Sequence, residues 1–262
     1  MSYLTRLPLW ASGFLVIGLT VVSMFGPVLV RRRIELKRLS TNNEVAGFKF
    51  ATVGVLYAVL LAFAVIVVWE KFSSAEDDVA SEAGAAATIY RLSNGIAGPP
   101  GAAIRSATTR YLEAVINEDW PAMEQGTASK ETAHELDAVY AAVLNFDPKD
   151  NRGASLMSEL LHQLDSVTQS RRARLILAEG IVPAVLWLVL FGGAIITIGF
   201  TFFFGTQNLR AQTWMTGMLS LMILSGLLII IVIDRPFSGP VRVDPEGLTH
   251  VLEDFFLPTA GQ

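Results

Sequence analysis

The chain has 262 residues, 52% of them hydrophobic and only 17% charged, with a mean hydropathy of +0.47, which places it among membrane proteins rather than soluble domains. Its 24 acidic and 20 basic residues nearly cancel to -4 and form no basic stripe interleaved with aromatics, so a nucleic-acid partner is excluded. With no cysteine, disulfides, thiolate nucleophiles and cysteine-held zinc or iron–sulfur centres are excluded as well.

Leu9 to Val30, 22 residues without an ionisable group, is long enough at about 1.5 Å per residue to cross a hydrocarbon layer of roughly 30 Å. The run exceeds the core of a secretory signal and ends at Gly26-Pro27 and Arg31-Arg32-Arg33, so it reads as an anchor rather than a cleaved leader. Phe48 to Trp69, Ile181 to Phe204 and Trp214 to Ile233 are the next three spans, and among the four only Lys49, at an edge, is charged. Trp10, Trp69, Trp187 and Trp214 lie near span ends, where an indole keeps its N–H at headgroup level. Short links, Arg31 to Gly47 and Gly205 to Thr213, pair the spans as two antiparallel hairpins.

Between the hairpins, Glu70 to Glu179 carries 17 acidic and 10 basic residues and faces water. Phe72, Ala75, Val79, Ala83, Ala86 and Tyr90 recur at helical steps, which extends the second span as one long helix to Asn94-Gly95. Further helices are predicted from Ala102 to about Asn117, ending before Trp120-Pro121, from about Lys130 to Leu144, and from near Ala154 to the basic run Arg171-Arg172-Ala173-Arg174. Ile104, Ala107, Tyr111 and Val115, then Leu156, Leu160, Leu164 and Val167, are their core stripes. The fold class is an all-α integral membrane protein divided as 1–69, first hairpin; 70–180, soluble helical bundle; 181–233, second hairpin; and 234–262, polar C-terminal tail.

Sidedness stays open from charge. The Arg31-to-Gly47 link with Lys49 and Arg210 totals seven cations, and Arg6, Lys71, Arg171, Arg172, Arg174, Arg235 and Arg242 on the other face also total seven. Short loops weigh most, which favours a cytoplasmic link and a middle domain outside.

Gly47, Ala51, Gly54 and Ala58 form a stripe of small residues on the second span that lets another helix approach closely, with Gly192, Gly193 and Gly199 of the third span as possible partners. Spans without buried charge disfavour pumps and ion-coupled transporters, and leave a passive pore with an apolar constriction or a bundle with no pore. His134, His162 and His250 have no ligand spacing around them and read as surface or hydrogen-bonded histidines, and Glu76-Asp77-Asp78 reads as a solvated face, so no metal site is expected. Nucleophile elbows, phosphate loops and nucleotide fingerprints are missing, so neither enzymatic activity nor a cofactor is expected.

Three stretches resemble a bacterial family called the bestrophin-like domain: Asn43-Glu44-Val45-Ala46-Gly47-Phe48; Gly54-Val55-Leu56-Tyr57-Ala58-Val59-Leu60-Leu61-Ala62-Phe63 with Trp69; and Asp234-Arg235-Pro236-Phe237-Ser238-Gly239. Glu82-Ala83 and Pro183 to Trp187 extend the resemblance over nearly the whole chain. A more distant likeness to the bestrophin anion channels rests on Gly54, Tyr57, Trp69 and Phe72, which look like their pore-lining helix, and on Pro236-Phe237-Ser238-Gly239, which looks like their Pro-Phe-Gly segment. That likeness implies a homo-oligomer, a pentamer, with a central pore and an apolar neck. Ala51 and Val55 stand where the channels carry neck phenylalanines, and the acidic run of calcium-gated members is reduced to Asp244 and Glu246. It also implies a cytosolic middle domain, opposite to the short-loop charge reading.

The resulting expectation is a bestrophin-like passive channel of a bacterial inner (plasma) membrane, in contact with lipid bilayer and small inorganic ions. Its pore would be lined by Gly47, Ala51, Gly54, Val55 and Ala58, with Asp234, Arg235, Pro236, Phe237 and Gly239 as the family segment. The alternative is a non-conducting membrane-anchored sensor or scaffold acting through the soluble domain.

Overall fold

Apolar residues at helical spacing become helix throughout the computed structural model, which describes residues 8–256; no strand occurs among them. Ten α-helices follow in order: α1 (Leu9–Arg33), α2 (Leu36–Ser40), α3 (Asn43–Ser93), α4 (Pro99–Ala114), α5 (Trp120–Glu124), α6 (Lys130–Leu144), α7 (Asn151–Ala178), α8 (Ala184–Thr201), α9 (Leu209–Ile233) and α10 (Glu246–Phe256). The described residues divide into two units: residues 8–70 with Ile181–Asp234, and Lys71–Gly180 with residues 235–256.

In the first unit, α1, α8, α9 and the beginning of α3 are each long and apolar enough to cross a membrane. Hydrophobic matching alone gives such helices no preferred partner, so small residues and hydroxyls fix their contacts. On α1 and α9 the Ser23 and Ser220 hydroxyls lie 2.7 Å apart, and on α8 and α9 those of Thr201 and Thr216 lie 3.3 Å apart. Gly26 of α1 receives the Phe202 ring, and Gly193 of α8 receives the Tyr57 ring of α3. The Tyr57 hydroxyl then donates to the Leu190 carbonyl at 3.1 Å, while Phe50 packs with Phe200 and Phe204.

The two links between spans meet. The Asn43 side-chain amide donates to Gly205 O (2.6 Å) and accepts from Gly205 N (2.9 Å), and Arg31 donates to Thr206 O at 2.7 Å. Gly205 lies against the Ser40 backbone, where a Cβ has no room.

In the second unit α3 continues to Ser93 without a break, burying Phe72, Ala75, Val79, Ala83 and Ala86. Pro99 opens α4, where its missing N–H costs no intrahelical bond. Ser129 caps α6 and Asp150 caps α7. The helix expected to stop before Trp120-Pro121 instead passes through a turn of π-helix, Val115–Asp119, into α5. The wider turn sets Pro121 in the first turn of α5, where its missing donor is tolerated.

α10, for which the sequence reading holds no helix, packs on α4 and buries Leu248 completely. The Phe255 ring stacks on Tyr90 at 3.7 Å between centroids, and the Tyr90 hydroxyl donates to Phe255 O at 3.2 Å.

Gly193→Ala drives a methyl into the Tyr57 ring, and overpacking predicts a loss of about 1–3 kcal/mol, read as a lower midpoint of thermal unfolding in detergent. The neighbouring Gly192→Ala, with nothing within 4 Å of the new carbon, leaves that midpoint unchanged or slightly raised.

Candidate functional site

Two features stand out on α3, one in each unit. Within the first unit, Tyr57 and Val68 are buried against the other spans, whereas the face carrying Ala51, Val55 and Ala58 is exposed. Val55 is 63% exposed, and a Cβ added at Gly47 or Gly54 meets nothing within 4 Å. The small-residue stripe therefore receives no helix among the described residues. Gly193 does serve α3, but through Tyr57, about 60° to 120° around the helix from the stripe, and Gly192 and Gly199 also meet nothing within 4 Å. Only 11% of the most apolar window of α3 is buried, against 44% for α9. A surface of hydrogens, methyls and isopropyl groups offers an ion no ligand and no charge to bind it.

The second feature escaped the sequence reading. Glu82 of α3, Asp119 at the end of the π-turn, and Arg174 of α7 are completely buried. Arg174 clasps Glu82 with Nε at 2.8 Å and Nη2 at 3.1 Å, and Nη2 also lies 3.5 Å from Asp119. Arg171 forks onto Asp119 at 2.8 and 3.1 Å, and Asp119 accepts from Ser129 N at 2.9 Å. The Tyr111 hydroxyl donates to Glu82 at 2.6 Å. Arg174 finishes its coordination with the Met123 sulfur at 3.0 Å and stands 4.8 Å over the Trp120 ring.

Two cations and two carboxylates make the cluster neutral, the condition for burying charge at tolerable cost. Burial disfavours the charge on Arg174, but Glu82, Tyr111 and Asp119 outweigh it and its pKa rises. Burial, with the Glu82 charge beside it, pushes the Tyr111 hydroxyl well above 10.0.

Arg171 and Arg174, read from sequence as a basic flank, are thus internal ion pairs; of that run only Arg172 is exposed. Arg6, counted with them, lies outside the described residues.

The segment Asp234–Gly239 does two separate things. In the first unit the Asp234 carboxylate accepts from Val182 N at 2.7 Å and Ile181 N at 3.2 Å, holding the lead-in to α8. In the second, Phe237 is completely buried and meets Trp120 edge to face at 5.7 Å. A turn with Ser238 N on Arg235 O and Gly239 at φ 91° shapes it, and Val243 N donates to Pro236 O at 2.7 Å. Glu82, Arg174, Trp120 and Phe237 are therefore joined in one continuous run of contacts.

His134, His162 and His250 are exposed and lie on different helices. Glu131, His134 and Glu135 group on one side of α6 with potential ligand atoms within 4.8 Å of one another, but Glu135 is engaged by Arg110 at 3.0 Å.

Comparison with known proteins follows the same outline. The family model for the Bestrophin-like domain matches residues 17–248. Among solved structures, a point variant of a bacterial bestrophin homologue from Klebsiella pneumoniae is similar at 14% identity and TM-score 0.70, covering 93% of this chain and 99% of that one. A second variant of that homologue gives 16% identity, TM-score 0.71, and coverage of 95% and 99%. A third structure, described as a membrane protein, gives 15% identity, TM-score 0.68, and coverage of 95% and 98%. Identities this low carry the fold. No curated protein matches the chain.

Arg174→Met leaves the buried Glu82 carboxylate without a cation and is expected to destabilise the protein by about 3–5 kcal/mol, measured by chemical or thermal unfolding in detergent. The folded pKa of Tyr111 is raised, so its contribution is fully present below 10.0, the unfolded value, and is lost as pH climbs above it. Stability measured from pH 9 to 11.5 should accordingly fall less steeply in Tyr111→Phe than in the parent.

Proposed function

The chain belongs to the Bestrophin-like domain family, and from that premise we propose that it is a passive, anion-conducting channel whose pore is lined by α3. The observation that carries this reading is the uncovered, charge-free face of Ala51, Gly54, Val55 and Ala58. Around a common axis, copies of that face enclose an apolar constriction, while the wider apolar surfaces of α1, α8 and α9 meet lipid and neighbouring copies. The assembly is a homo-oligomer, a pentamer by the likeness to bestrophins, in a bacterial inner membrane.

The spans cross as two antiparallel hairpins, α1 with α3 and α8 with α9. The meeting of both links through Asn43 and Gly205 supports this, because it gathers them at one end of the span unit. The domain plan is residues 1–69 and 181–233 as hairpins, 70–180 as a water-facing helical domain, and 234–262 as a C-terminal segment. Ion conduction, rather than catalysis, is the activity that a face without reactive groups supports.

Purified protein in planar bilayers should carry chloride current above that of empty membranes across a range of pH and calcium; silence throughout removes the proposal. Val55→Glu, which sets a ring of carboxylates in the constriction, should lower the chloride-to-sodium permeability ratio by about tenfold or more, read from reversal potentials in asymmetric salt.

A further inference from the structure

In the span unit α3 and α8 meet at one level and stand apart at another. Tyr57 lies against Gly193, and its hydroxyl donates to the Leu190 carbonyl at 3.1 Å, so the helices touch there and the polar group at that point is already engaged. Between this contact and the level of Val68 and the Ile181–Pro183 lead-in of α8, the two helices leave a crevice of about 400 Å³. Val68 and Leu190 are buried in its floor, whereas Leu56, Phe63 and Leu186 stand exposed along its edges. Every side chain that lines it is hydrocarbon, so it offers nothing to a polar ligand.

We propose that this crevice holds one acyl chain of a bilayer phospholipid. From Leu56 to Val68 it runs about 18 Å along α3 at 1.5 Å per residue, a little over half of the roughly 30 Å hydrocarbon layer, which is the depth of one leaflet. One end lies where α3 turns polar at Trp69-Glu70, the headgroup level, and the other is closed by Tyr57 near mid-membrane. A chain that enters from the headgroup end therefore brings its terminal methyl to the closed end. The helix of a neighbouring copy does not fit. At about 10–12 Å across with its side chains, a helix fills on the order of 1,500 Å³ over that length, several times the space present. The crevice lies on the side of α3 opposite the Gly47-to-Ala58 stripe, about 180° around at 3.6 residues per turn, so its occupant leaves the stripe free. In lipid the driving force is contact, because an unfilled gap leaves its walls without partner atoms.

This binding is independent of the channel reading and is measured without any current. The full-length protein is reconstituted in vesicles of palmitoyl-oleoyl phosphatidylethanolamine and phosphatidylglycerol, extracted again, washed in excess mild detergent, and its retained phospholipid counted by mass spectrometry. The parent is expected to keep about one phospholipid per chain that Ala64→Phe, whose ring fills the crevice, loses. Val185→Phe, on an exposed part of α8 outside the crevice, keeps it. A parent stripped of phospholipid, an Ala64→Phe variant that keeps as much as the parent, or a Val185→Phe variant that loses it equally would each overturn the proposal. Loss of the oligomer in Ala64→Phe, with a lipid-free parent, would assign the crevice to a second copy instead. One further measurement needs only the parent: retained phospholipid carrying a photoreactive diazirine midway along one acyl chain should couple to residues 56–68 or 181–190, and coupling confined to other segments would contradict the assignment.

Discussion

One uninterrupted helix constrains everything else. α3 begins as a segment that water cannot solvate and, after Glu70, becomes one that it can, with no proline between Asn43 and Ser93. Each partner of α3 is fixed by the face it finds. Asn43 ties the start of the helix to Gly205, Tyr57 inserts against Gly193, Glu82 receives Arg174, and Tyr90 carries Phe255. The stripe from Gly47 to Ala58 has no such partner among the described residues.

The Glu82–Arg174–Asp119 cluster is a poor source of net stability, because desolvating four charged groups offsets much of their attraction. Its effect lies in selection among packings. Any register of α7 other than the observed one buries a guanidinium without carboxylates, or carboxylates without a guanidinium, and such errors cost more than a misplaced leucine. Through Trp120 and Phe237 the same cluster fixes the segment after α9, so two stretches of the family resemblance that are far apart in sequence share one core.

Much of this was legible in the residues. The spans are readable because their apolar runs exceed what a soluble helix tolerates, and α6 because Ser129 and Leu144 mark its ends. The ion cluster was written there too. Leu160, Leu164, Val167, Arg171 and Arg174 share one helical stripe, so the two arginines stood on the buried face while being counted as a flank. Leu248, Val251, Leu252 and Phe255 likewise carry the spacing of α10, overlooked behind polar neighbours. The π-turn was not legible, since weak helix formers such as those of Val115–Asp119 do not by themselves specify a wider turn; in the fold it sets Pro121 in the first turn of α5 and carries Asp119 to Arg171. Of the candidate pore residues the sequence supplied the face, and the fold supplied the fact that no other helix among the described residues covers it.

Removing Arg171 and Arg174 from the surface also changes what the charge count can say, because cations neutralised inside a bundle do not report on the side of the membrane. The most direct test of the central claim, that the uncovered face of α3 borders water inside an assembly, uses the absence of native cysteine. Single cysteines at Ala51, Gly54, Val55 and Ala58 would be exposed in turn to a membrane-impermeant, charged thiol reagent during current recording. The account predicts modification at these four positions with a matching change in current, and none at Val185 and Leu188, exposed apolar positions of α8 that it assigns to lipid. Four unreactive positions, or reaction at the controls alone, would contradict it.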